Sequence, residues 1–437
     1  MCCDYSIIIQ YNEETSGPTT GRFIFTTTYT SMKTLFTNYI NTFGGLSREV
    51  WWLALITLIN RAGAMVIPFL SLYLTQDMGF SIANVGWILT FFGLGSVAGS
   101  WLGGKLTDKI GYYKVMLGSL LLSGLFFIGL QFLSGFWAIC IGVFLVMAVA
   151  DAFRPAVFVA LSAYSKPGNK TRSVTLIRLA INLGFSLGPA VGGFIITQVS
   201  YGALFWIDGI TCIIAGFMLF NLLHPKRTKT LDEISVANPR SAYGDISYWL
   251  FIAGMVLFGF IFLQYFSTVP LYYKDIHRLS EAQIGLLLGL NGLLIFVFEM
   301  PLVKYMETKG GTKITNIILG CALTGLSFLL LNITHWTGIL IIGVVLMTVG
   351  EMIAFPFSNA FALQRAKRGN QGEYMALYSI SFSLSHILGH NSGMQFIAGF
   401  GFGTTWFIMT GLCVICCLLL VLLQKKIAGE QKAASSH

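Results

Sequence analysis

Side chains with acid–base chemistry stand inside long apolar stretches of this sequence, among them Arg61, Asp151, Arg154, Glu351 and His386. A charge at the centre of a bilayer costs about 2.5–3.5 kcal/mol on insertion scales, so such residues are functional candidates. Burial favours a neutral carboxyl and a neighbouring arginine favours the anion. A carboxylate that alternates between those surroundings can take up and release a proton. Asp151 and Arg154 are three residues apart, share a helix face and can pair. Glu351 has no basic residue within a turn. The proton-carrying role is therefore assigned to Asp151 or Glu351, with a static ion pair as the competing role for Asp151 and Arg154. His386 stands four residues before His390 on one helix face and suits either a proton relay or polar packing. Arg61, Arg154, Asn60, Gln264 and Asn291, with Asn182, are the candidate contacts for a bound substrate. Arg178, Asp208 and Glu299 fall nearer the ends of their stretches and are assigned interfacial or structural roles.

The elements that position these groups are membrane spans. Of 437 residues, 55% are hydrophobic and 10% charged, against about 25% charged in soluble proteins. So much apolar surface belongs in lipid. The net charge of +9 does not point to nucleic acid, because the basic residues lie in short loops between apolar runs. The cysteines within apolar runs behave as small hydrophobes, and Cys413-Val-Ile-Cys416-Cys417 lies mid-helix without His or acidic neighbours. No metal set, cofactor motif, HExxH or P-loop is present, so an enzyme is not expected and energy should come from an ion gradient.

A spanning helix needs about 20 apolar residues. Spans are expected near 51–75, 83–104, 112–134, 137–162, 174–197, 202–223, 249–273, 282–305, 313–333, 338–362, 374–398 and 403–424. Of the basic residues in the loops and at the span ends, 22 fall on one face and only Lys274 and Arg278 on the other. This bias places both chain ends in the cytoplasm of a multi-pass protein of the plasma (bacterial inner) membrane. Trp51, Trp137, Trp249 and Trp406 fall at span ends, as an aromatic belt requires. Residues 1–49 form a polar cytoplasmic tail. Met32 opens an ordinary leader, so residues 1–31 are expected to precede the native start, which an N-terminal mass spectrum would test. The domains expected are a six-helix bundle at 50–224, a cytoplasmic linker at 225–247, a second bundle at 248–424 and a short tail at 425–437.

The two halves repeat. At an offset of 199, Ser81 matches Ser280, Gly86 matches Gly285, and Gly93 matches Gly292. At 200, Asp151 matches Glu351, and at 201, Leu187-Gly188 matches Leu388-Gly389. Six helices per half make the repeats parallel, related by an axis along the membrane normal. The fold class is an all-α membrane protein of twelve spans in two pseudo-symmetric bundles, with a site between them.

Two motifs carry a resemblance. Gly104-Lys105-Leu106-Thr107-Asp108-Lys109-Ile110-Gly111 is similar to the signature loop of the major facilitator superfamily, G-x-L-x-D-[RK]-x-G. Its glycines permit a tight turn, and its acid can bind the other half to lock one conformation. Tyr112 and Tyr113 stand where the family usually has basic residues. Gly184-Phe185-Ser186-Leu187-Gly188-Pro189-Ala190-Val191-Gly192-Gly193 resembles the family's antiporter motif. Its small residues form a packing groove and Pro189 kinks the helix. The resemblance covers residues 50–424 and points to the drug–proton antiporter group, although the R-x-x-Q-G motif of the fourth span is replaced by Asp151-Ala-Phe-Arg154-Pro155. It implies a monomeric secondary transporter that exchanges a hydrophobic small molecule for protons by alternating access. The alternatives are a proton-coupled nutrient uptake symporter and a non-transporting membrane sensor.

Overall fold

The computed structural model describes residues 6–8, 28–30, 45–166, 170–226, 241–309, 311–333, 336–366 and 371–435. Most of the expected linker, residues 227–240, lies outside them. Near the start of the chain, β1 (Ser6–Ile8) pairs antiparallel with β2 (Thr28–Thr30). Among the described residues everything else of substance is helix.

The helices of the first half are α1 (Arg48–Ala62), α2 (Val66–Leu72), α3 (Ile82–Ile110), α4 (Tyr112–Leu130), α5 (Phe136–Ala150), α6 (Phe153–Tyr164), α7 (Lys170–Gln198) and α8 (Tyr201–Leu222). The second half has α9 (Ile246–Phe262), α10 (Gln264–Ser267), α11 (Val269–Asp275), α12 (Glu281–Thr308), α13 (Lys313–Ile333), α14 (Gly338–Ala366) and α15 (Gln371–Ser435). Among the described residues, eleven stretches are long and apolar enough to cross a bilayer, the last of them Leu377–Glu430 with 54 residues. At 1.5 Å per residue that stretch is about 80 Å long, more than twice the hydrocarbon thickness. It divides at Gly401, whose φ of 77° and ψ of 173° are not helical. The spans therefore number twelve, as the hydropathy expects.

Repeated residues occupy equivalent structural positions. Ser81 and Ser280 are the N-caps of α3 and α12, each accepting a backbone N–H three residues on. The repeated glycines line the seams between halves. Gly86 and Gly93 of α3 meet Asn391, Met394, His386 and Ile387 of α15, while Gly285 and Gly292 of α12 meet Pro189, Gly193 and Ser186 of α7. A Cβ on Gly292 would lie 2.6 Å from the Ser186 backbone nitrogen, so only glycine lets these backbones approach.

The first and seventh spans are both broken. Between α1 and α2, the carboxylate of Asp208 in α8 accepts the backbone N–H groups of Met65 and Val66, each at 2.9 Å. In the seventh span, Gln264 Nε2 donates to Gly389 O at 2.8 Å and to Phe260 O at 3.1 Å. An interrupted helix in lipid needs its freed backbone groups satisfied by neighbours, and side chains supply this in both halves.

Three of the four expected belt tryptophans, Trp51, Trp137 and Trp249, are exposed on the membrane-facing surface. Trp406 is not a belt residue. It is fully buried against Tyr272 and Phe328.

Packing is not uniform along the membrane normal. On the side carrying the last span's helical extension, each half has its own apolar core: Val50, Met116, Phe153 and Leu219 belong to one, and Tyr248, Ile317, Phe361 and Leu420 to the other. On the opposite side a single core runs through both halves, joining Phe69, Ile88 and Phe205 to Leu271, Ile284 and Met394. The bundles are thus fused on one side and separate on the other.

Candidate functional site

A cavity of about 300 Å³ lies between the bundles. Its walls come from α2, α3, α6 and α7 of one half and α9, α10, α12, α14 and α15 of the other. Most of the lining is apolar, with Phe92, Phe185, Phe262 and Phe266 prominent, and the polar groups are few: Ser71, Arg154, Asn182, Ser267, Asn291, Glu351, His386 and His390. An apolar pocket with a few convergent polar groups is the usual form of a small-molecule site.

Of the residues singled out by sequence, the structure brings Arg154, Asn182, Pro189, Asn291, Glu351, His386 and His390 to this cavity. Glu351 accepts a 2.8 Å hydrogen bond from Asn291 Nδ2, which also donates to Thr348 Oγ1 at 3.0 Å. No lysine or arginine pairs with Glu351 among the described residues. His386 Nδ1 and His390 Nε2 are 3.3 Å apart, and the His390 ring stands edge-on to Phe92. The other ring nitrogen of His390, Nδ1, is buried without a hydrogen-bond partner among the described residues.

The remaining candidates lie outside the lining. Asp151 is buried, accepts from Ser96 Oγ and sits 3.9 Å from Arg154, whose own side chain is 56% exposed. Arg61 packs its guanidinium 5.6 Å above the Phe185 ring, behind the cavity wall. Asn60 donates to Cys212 Sγ at 3.4 Å. Gln264 is fully buried, with its amide committed to Gly389, Phe260 and Thr268. The Gln264 amide is thus taken up by contacts that hold helices together, and the Asn60 amide N–H is engaged by a thiol.

The signature segment is helical rather than a loop. α3 runs through Gly104, Asp108 and Lys109 to Ile110, and only Gly111 turns, with φ 91° and its N–H on Thr107 O at 3.0 Å. Such a φ is open to glycine and strained for other residues. Lys109 is exposed, and the Asp108 side chain lies outside the described residues. In α7, Gly184 and Gly188 lie against the α1 backbone at Arg61 and Ala62, Gly192 against Met65, and Gly193 against α12. Gly184 to Gly188 also spells G-x-S-x-G. Ser186, however, sits mid-helix and donates to Gly289 O at 2.8 Å, without the strand-to-helix elbow a hydrolase nucleophile needs.

Sequence reasoning missed one cross-bundle network. Arg178 of α7 pairs with Glu299 of α12, which also accepts from Asn182 Nδ2 at 3.3 Å. Asn182 lines the cavity, so this network adjoins it. On the fused side the halves are joined by Gln76 to Asp275 at 3.2 Å, Tyr201 to Glu281 at 3.0 Å, Ala282 N to Thr197 at 3.2 Å and Gln395 to Ala83 O at 3.0 Å.

The Major Facilitator Superfamily model matches residues 53–390. An uncharacterised MFS-type transporter, YqjV of Bacillus subtilis (strain 168), is 26% identical over 376 residues, covering 82% of this chain and 89% of the relative. A Na(+), Li(+), K(+)/H(+) antiporter of Planococcus maritimus is 21% identical over 390 residues, covering 82% and 91%. The quinolone resistance protein NorA of Staphylococcus aureus (strain COL) is 26% identical over 345 residues, covering 76% and 86%. Among solved structures, a peptide transporter POT superposes with a TM-score of 0.75 at 16% identity, covering 87% of this chain and 95% of that one. At that identity the likeness concerns the fold.

Proposed function

The chain belongs to the Major Facilitator Superfamily, and from that premise we propose that it exports a hydrophobic or amphipathic small molecule in exchange for protons. Glu351 is the proton carrier. The observation that carries this reading is its seat in the inter-bundle cavity, held by Asn291 and without a basic partner among the described residues. A carboxyl so placed is free to exist in either protonation state, and substrate and proton compete for one space. His386, with His390, is the second polar wall of that space. Arg154 offers a charge from the opposite bundle, and the four phenylalanines supply the apolar contact area. Relatives named as a cation–proton antiporter and a quinolone resistance protein support exchange over uptake.

The packing supports alternating access. The fused side is the outer one if the chain ends lie in the cytoplasm, so the state described faces inward. Turning outward requires the hydrogen bonds of the fused side to break and the separated cores to meet, with the signature segment at Gly104–Gly111 and the glycine row of α7 as sliding surfaces. The halves 50–224 and 248–424 move as units about residues 225–247 in the bacterial inner membrane, and a single chain suffices.

Reconstituted protein with an imposed pH gradient tests the direction, using a panel of fluorescent lipophilic dyes. Dye should move against the proton flow. Accumulation of a solute together with inward protons would establish uptake symport and overturn the export reading.

A further inference from the structure

A second cavity, also about 300 Å³, lies far from the central one, where α1 begins and α8 ends. It is lined by Arg48, Glu49, Trp52, Asn221, His224 and Lys226, among others. Among the described residues its one acid, Glu49, is bound to Lys226 at 2.6 Å and lies within electrostatic reach of Lys166. Arg48 makes no ion pair among the described residues and stacks 5.9 Å over Trp52. Cations therefore exceed anions here, and one guanidinium is available to a ligand.

The site is held in shape. The Tyr112 hydroxyl accepts the Lys226 N–H at 2.8 Å and donates to its carbonyl at 3.0 Å, and the Tyr164 hydroxyl donates to His224 O at 2.8 Å. Tyr112 stands where the family usually carries a basic residue, and its hydroxyl fixes the backbone that presents Lys226. A cavity of the other half, between α13, α14 and α15, differs. There Arg365 is saturated by Asp245 and Glu430, and Lys313 is bound to Gln364 at 2.6 Å.

Depth identifies the ligand. The cavity lies at the ends of two spans, at the boundary of the apolar layer, and its walls continue into that layer. Phe217, one turn from Asn221 on the same face of α8, is 59% exposed, and Phe220 is 61% exposed. Trp51 and Leu55 give α1 a matching exposed apolar strip. A basic pocket opening onto a lipid-facing apolar wall fits a phosphate group that carries acyl chains. We propose that this cavity binds the headgroup of an anionic phospholipid, its phosphate on Arg48 and Lys226 and its chains along Phe217 and Leu55, clamping the start of the first span to the end of the sixth.

The test is thermal unfolding of the purified full chain in neutral detergent with added phosphatidylglycerol, phosphatidylcholine or inorganic phosphate. Phosphatidylglycerol should raise the midpoint, and the other two should leave it unmoved. The double substitution Arg48→Gln with Lys226→Gln should lose most of the rise, while Lys313→Gln in the other half keeps it. An equal rise in the double variant overturns the proposal, and so does an equal rise with inorganic phosphate, which would mark a free-anion site. Should the double variant fail to fold, a photoactivatable phosphatidylglycerol on the unmodified chain decides. Labelled peptides should contain residues 48–55 or 217–226, and labelling confined elsewhere contradicts the site.

Discussion

Asp151 and Glu351 hold the same place in the internal repeat and meet different surroundings. Asp151 is buried, bound by Ser96 and next to Arg154. Glu351 lines the inter-bundle cavity, bound by Asn291, with no basic partner among the described residues. Pseudo-symmetry sets where a carboxylate stands in the membrane, and the neighbouring helices set what it can do. A carboxylate beside an arginine suits a fixed pair, and one facing a cavity suits a proton carrier.

The halves differ similarly at the ends of the linker. The first half fixes Lys226 through tyrosine hydroxyls and an exposed pair with Glu49. The second fixes Asp245 through a buried network in which Arg365 binds Asp245 at 2.6 Å and Glu430 at 2.9 Å, with Tyr374 also donating to Asp245. The sharpest test of this contrast is stability. Arg365→Ala should cost about 3–5 kcal/mol, the usual result of leaving buried charges unpaired. Lys226→Ala should cost under about 1 kcal/mol, because its pair with Glu49 is solvent-exposed. Equal losses in denaturant unfolding would remove the distinction.

Within the site, Asn291→Leu should lower pH-driven transport about tenfold, as expected for loss of a hydrogen bond to a charged group. Ser96→Ala, beside Asp151, should change it by less than about twofold on this account, since Asp151 is not the carrier. Proteoliposome flux ranks the two. Gly292→Val tests the seam and should cost about 1–3 kcal/mol of stability through overpacking against Ser186.

The smallest effect concerns pH. Burial opposes the charge on Asp245, but the hydrogen bonds and charge of Arg365 outweigh it and hold its pKa below the ordinary value. A lowered carboxylate pKa contributes stability that is complete above the unfolded value, about 3.9, and is lost as the pH falls through the folded one. Asp245→Asn should therefore flatten the acid limb of the unfolding profile and leave neutral pH behaviour otherwise limited to the lost ion pair.

The span pattern and the repeat were legible in the sequence because lipid imposes length and hydropathy on every crossing helix. The division of the last long helix was legible as the gap between the spans expected at 374–398 and 403–424, within which Gly401 falls. Glu351 was legible as a charge without a nearby partner. The pairing of Arg178 with Glu299 was not, because it depends on α7 and α12 meeting across the bundle interface, more than a hundred residues apart. The bonds of Gln264 and Asn60 were not legible for a related reason: a polar side chain in an apolar run serves a backbone carbonyl or a thiol as readily as a ligand. Trp406 shows the same limit, since its position near a span end says nothing of the aromatic cluster that buries it.

The central claim is that protonation at Glu351, and not at Asp151, drives the change of facing. It is tested most directly by electron-spin distance measurements between labels on Val199 and Ile276, both exposed on the fused side and on opposite halves. In the otherwise native chain and in Asp151→Asn, the distance distribution should shift with pH, and in Glu351→Gln it should be the same at every pH. A shift that survives Glu351→Gln and vanishes in Asp151→Asn would contradict the account.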